Sequence, residues 1–91
     1  MSRYEPVSPA DLRQLAWLHA APGEPMSGRV RYAAAMHFYQ RGWLSEASLE
    51  VYRTCSVIDH EDPKPVLAQL GLAGELEAID GAFRTTGEVR K

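Results

Sequence analysis

Apolar residues recur along this chain at intervals of three and four, and no window shows sustained alternation, so the pattern predicts helices and no strands. Its clearest stretch lies between Val30 and Ile58. The spacing is helical over Val30 to Arg41 and again from Ser45 to about Ile58, with Gly42-Trp43-Leu44 between the two segments. Gly42 suits the left-handed conformation that ends a helix, which brings Trp43 back against Phe38. Ser45 suits the cap of the next helix, because its hydroxyl can accept from the first free amides. Leu44 before that cap and Leu49 in the first full turn have the spacing of a hydrophobic staple. A helix-turn-helix hairpin is therefore the centre of the expected fold.

Upstream, Ser8-Pro9-Ala10-Asp11 predicts a helix start: a serine cap, a proline at the first helical position and an acid three residues after the cap. Val7 and Leu12 repeat the staple spacing, and the helix is expected to run to about Ala21, before Pro22-Gly23. Its inward stripe reads Leu12, Leu15, Ala16 and His19, with Leu18 at the margin and Trp17 off the stripe beside Arg13 and Ala20. Ser27 reads as the cap of the second helix. That helix has no clean polar face, since Tyr32, Ala35, Met36 and Tyr39 lie on one side and Val30, Ala34 and Phe38 nearly opposite. A helix apolar nearly all round is buried on both sides or meets another chain.

The third helix puts Ala47, Val51, Tyr52, Cys55 and Ile58 on one face and Glu46, Glu50 and Arg53 on the other. Asp59-His60-Glu61-Asp62 reads as a polar link, Asp62-Pro63 as another helix start, and Val66, Leu67 and Leu70 as a short inward stripe ending at Gly71. Leu72, Leu76, Ile79 and Phe83 predict a last helix, which Gly81 can end early. The expected class is all-α, a small bundle of four to five helices in one domain spanning 1–91, with an ordered core over about 8–83 and loose ends at 1–7 and 84–91.

Composition narrows the function classes. An apolar content of 45% is that of a globular chain, and no apolar run approaches the ~20 residues that span a bilayer, so no membrane role is expected. The single cysteine, Cys55, and a first stretch without a signal-peptide core point to a cytoplasmic protein. Net charge is −2, divided as six Lys/Arg against five Asp/Glu over residues 1–53 and four against seven over 54–91. Neither half pulls strongly on nucleic acid or an anionic surface.

The hairpin invites a helix-turn-helix DNA-binding reading, but Glu46 and Glu50 stand where phosphates would lie, and Arg29, Arg31 and Arg41 share no helical face. Asp59 to Asp62 resembles a metal-binding run, with His37 or His19 as distant ligands. Adjacent residues rarely converge on one ion, so no metal and no cofactor is expected. Cys55 with His37 or His60 as base is a catalytic candidate, yet Cys55 falls on an inward stripe near a helix C-terminus, which disfavours a thiolate. Hence no catalytic residue is assigned. Large anchors remain: Trp17, Tyr32, Met36 and Tyr39 are hard to bury in so short a chain, and such residues are enriched at protein interfaces. The expected function is a non-catalytic accessory or adaptor protein binding another protein, or a second copy of itself, through those four residues. A small DNA-binding regulator and a metal-dependent or cysteine enzyme are the alternatives.

Overall fold

The computed structural model describes residues 8–20 and 26–89. Among them are five α-helices and one π-helical turn, with no strand: α1 Pro9–Leu18, α2 Ser27–Gln40, α3 Glu46–Tyr52 continued by a π-helical segment Arg53–Ile58, α4 Lys64–Gln69 and α5 Ala73–Val89. This is the expected all-α bundle.

The start of α1 is the capping box. Ser8 Oγ accepts from the Asp11 N–H at 3.0 Å, and Asp11 Oδ2 accepts from the Ser8 N–H at 3.2 Å. The proposed staple partner Val7 lies outside the described residues. The helix closes at Leu18 with His19 as its C-cap, short of Ala21. Its inward face keeps Leu15 of the expected stripe, which packs against the core, but otherwise differs: Asp11 and Leu18 are buried, whereas Leu12, Ala16 and His19 are exposed. The helix is rotated because the Asp11 carboxylate has partners on α2, and a buried carboxylate must be kept where they are.

Ser27 is the first residue of α2 and is buried; Met26 occupies the cap position and makes no side-chain cap bond. Close packing explains this start. A Cβ built on Gly28 would lie 2.0 Å from the Ser56 carbonyl oxygen, so the N-terminal turn of α2 presses directly on the backbone of the π-helical segment. At the other end the turn forms as expected. Gly42 has φ +85°, its N–H donates to the Tyr39 carbonyl at 3.0 Å, and the Trp43 N–H donates to the Phe38 carbonyl at 2.8 Å. These two bonds make a Schellman ending, and the Trp43 and Phe38 rings lie 5.4 Å apart. Ser45 Oγ then accepts from the Ser48 N–H at 3.2 Å, with Leu44 and Leu49 both buried beside it.

The π-helical segment changes which residues face inward. Because its turn is wider than that of an α-helix, Ser56 becomes buried and Ile58, expected inside, is largely exposed. The segment ends at His60, with φ +56°, and the Glu61 N–H donates back to the Cys55 carbonyl at 2.6 Å. A second Schellman ending at Gly71, φ +75°, closes α4: the Leu72 N–H donates to Leu67 and the Gly71 N–H to Ala68. Leu67 is buried there, but Leu70 is exposed.

Helix α5 does not stop at Gly81 and runs to Val89, beyond the expected loose end at 84. A glycine inside a helix costs about 1 kcal/mol relative to alanine. Burying Phe83 on the same stripe as Leu76 and Ile79 outweighs that cost. Phe83 packs 5.3 Å from Trp43 and 6.0 Å from Phe38, so one aromatic cluster joins α2, the turn and α5.

Candidate functional site

Several titratable side chains that could do chemistry are spent on ties between helices. Asp11, only 1% exposed, accepts from His37 Nε2 at 2.8 Å and from the Arg41 guanidinium at 3.1 Å, which fixes α1 against α2. Burial alone would push the Asp11 carboxyl up. The bonds from His37 and the Ser8 N–H, with the charge of Arg41, outweigh burial and hold it below the ordinary carboxylate value. His19 Nε2 donates to Asp80 Oδ1 at 2.9 Å and ties the end of α1 to α5. Glu75 Oε1 accepts from Ser48 Oγ at 2.8 Å and from the Ser45 N–H at 2.9 Å, tying α5 to the start of α3.

The enzyme candidates meet the same limit. Cys55 is buried, and burial pushes its thiol up, with Asp59, Glu61 and Asp62 adding in the same direction; a thiolate is disfavoured there. Asp62 accepts from the Lys64 N–H at 3.1 Å and lies 3.6 Å from Arg31, so the polar link serves the start of α4. Among the described residues no group of three or more His, Cys, Asp or Glu gathers as a metal site. No described helix is long and apolar enough to cross a membrane.

Arg31 was missed by sequence reasoning. It is 3% exposed on the buried face of α2, so it is withdrawn from any phosphate, and no periodicity signals an arginine placed inward. Its Nε, the Tyr52 hydroxyl and Ser56 Oγ are buried with no hydrogen-bond partner among the described residues. These donors do not make an anion site. Burial is the largest effect on the Tyr52 phenol and holds it neutral; the Arg31 charge pulls it down, and the carboxylates Asp80, Asp62 and Glu75 act against that pull. Just past the end of α3, Arg53 is bound to Glu50 at 2.9 Å, leaving the would-be DNA-reading face with Glu46 and Glu50.

The four expected contact residues fall on two surfaces. Trp17 is 38% exposed and Tyr39 36%, while Tyr32 and Met36 are half-buried against the core. At about 100° per residue, Tyr32, Met36 and Tyr39 point about 150° away from His37 and Arg41. Since His37 and Arg41 hold α1 through Asp11, Trp17 lies on the opposite flank of α2 from the other three.

What remains unexplained by the fold is the outer side of α1. Leu12 is 47% exposed, Ala16 and Trp17 are exposed beside it, and Arg13 is the one charge among them. The helix keeps Leu15 and Leu18 against the core beside the buried Asp11 carboxylate, and it presents Leu12 and Trp17 to solvent. The buried acid is the sign of this rotation, and the capping-box reading of Asp11 hid it, because a capping acid is ordinarily solvated.

Comparison with protein-family models, with curated proteins and with solved structures finds no match to this chain.

Proposed function

We propose that this protein is a non-catalytic accessory protein that works by holding another polypeptide on the outer face of α1. The observation that carries this reading is the second apolar side of α1, where Leu12 and Trp17 are exposed while Leu15, Leu18 and the Asp11 carboxylate meet the core. A helix that serves only its own domain turns its large apolar residues to the core; Leu15 and Leu18 do so, and Leu12 and Trp17 do not. Exposed tryptophan beside arginine is the pairing enriched at interface hot spots. The engagement of His19, His37, Asp11 and Glu75 in interhelical ties supports a binding role over a catalytic one.

The test is a photo-cross-linking residue, benzoylphenylalanine, placed at Ala16 between Leu12 and Trp17, with Ala47 on α3 as the exposed control. Irradiation in the producing cell is expected to give a discrete adduct from position 16 and not from 47. Adding Trp17→Ala should reduce the adduct while costing about 1 kcal/mol of stability, as for a partly exposed side chain. No adduct at position 16, or the same adducts at both positions, contradicts the reading.

A further inference from the structure

The charges of the two halves of the fold are separated. From Ser8 to Ser45 the described residues hold four arginines and a single carboxylate, the buried Asp11; from Glu46 to Arg84 they hold eight carboxylates against three cations. Of these arginines only Arg13 belongs to α1, where it stands exposed beside Leu12, Ala16 and Trp17, so the outer face of α1 is apolar with one cation. Between α4 and α5 lies an open cavity of about 170 Å³ whose floor is Leu67 and Leu76, with Ala73 at its side and Lys64, Glu77 and Asp80 at its rim. It is smaller than the ~300–1,000 Å³ of most small-molecule sites, and of a size for one large side chain. Two carboxylates against one ammonium make the rim acidic.

The two features are neighbours. Asp80, on the rim, is the residue bound by His19 at the end of α1. An apolar face with one cation, bordering an acidic apolar groove, is self-complementary under a two-fold rotation, which is the requirement for a closed pair of identical subunits. The spacing fits as well. Arg13 and Trp17 stand one turn apart on α1, and Ala73 and Glu77 one turn apart on α5. An antiparallel approach sets Trp17 into the cavity beside Ala73 and Arg13 against Glu77.

We infer that the occupant of the α1 face is a second copy of this chain, each copy laying Trp17 in the α4–α5 groove of the other and pairing Arg13 with Glu77. The inference rests on the docking reading above and names its partner. Opposite charges at the rim set register and oppose mispairing, while the buried ring supplies affinity.

Sedimentation equilibrium from low micromolar to low millimolar protein tests it. The mass should rise toward twice 10.1 kDa. Arg13→Glu and Glu77→Arg should each raise the dimer dissociation constant by about tenfold or more, since each is present twice per dimer. The doubly reversed variant should recover to within about threefold of the original value. Both positions are exposed, so circular dichroism should be unchanged; Trp17→Ala, which reverses no charge, should also dissociate the pair. A wild-type chain that stays at 10.1 kDa throughout overturns the inference, as does failure of the double reversal to recover. A monomer whose position-16 adduct contains a different protein overturns the dimer and leaves the docking reading standing.

Discussion

Phe38→Ala is expected to lose about 4 kcal/mol, the middle of the range for truncating a fully buried phenylalanine. Phe38 is completely enclosed, with Trp43 at 5.4 Å and Phe83 at 6.0 Å. Its removal therefore opens a cavity where α2, the Gly42 turn and α5 meet, and the two surviving rings cannot both move to fill it. A domain of this size has a total stability of roughly 5–15 kcal/mol, so the variant should sit near the edge of folding. Urea unfolding followed by circular dichroism measures the loss. A change below about 1 kcal/mol would show that the aromatic cluster is not the centre of the core.

Gly28→Ala should cost about 3 kcal/mol, the upper end for overpacking. The added methyl would meet the Ser56 carbonyl oxygen at 2.0 Å and its carbon at 2.9 Å, and a backbone carbonyl cannot rotate away as a side chain can. The gain of about 1 kcal/mol in helix propensity works against the clash and is the smaller effect. Relief requires α2 to lift from the π-helical segment, which would also strain the Arg31–Asp62 contact. The expected result is a midpoint of thermal unfolding lower by about 12–24 °C, at 4–8 °C per kcal/mol for a small domain. An alanine variant as stable as the parent would show that α2 and that segment do not touch.

Local signals in the chain proved legible where the physics is local. The serine caps at Ser8 and Ser45, the left-handed glycines at Gly42 and Gly71, and the return of Trp43 to Phe38 each depend on a few consecutive residues. What periodicity could not show depends on partners far along the chain. Asp11 turns inward because His37 and Arg41 wait for it, and Leu12 is displaced outward as a result. The π-helical segment shifts the inward face by a fraction of a turn, exchanging Ile58 for Ser56, and no residue in it announces the wider turn. Gly81 reads as a stop, yet the burial of Phe83 beyond it keeps α5 helical. For the candidate site, Trp17 stood out by being off the stripe, whereas its separation from Tyr32, Met36 and Tyr39 required knowing which flank of α2 carries α1.

The apolar face that joins Leu12 to Trp17 depends on the orientation of α1, because Leu12 reaches solvent only if Asp11 is inside. Asp11 has a carboxyl lowered in the folded chain. Its contribution to stability is therefore present above the unfolded value of about 3.9 and is lost as pH falls through the lower, folded value. Titration of the Asp11 side-chain carboxyl by ¹³C NMR measures this directly. The structure predicts a titration midpoint below about 3.9, with acid unfolding blunted in Asp11→Asn; a midpoint at about 3.9 would mean that Asp11 is solvated and that α1 turns Leu12 to the core instead, and a midpoint above it would mean that the carboxyl is buried without its ties to His37 and Arg41.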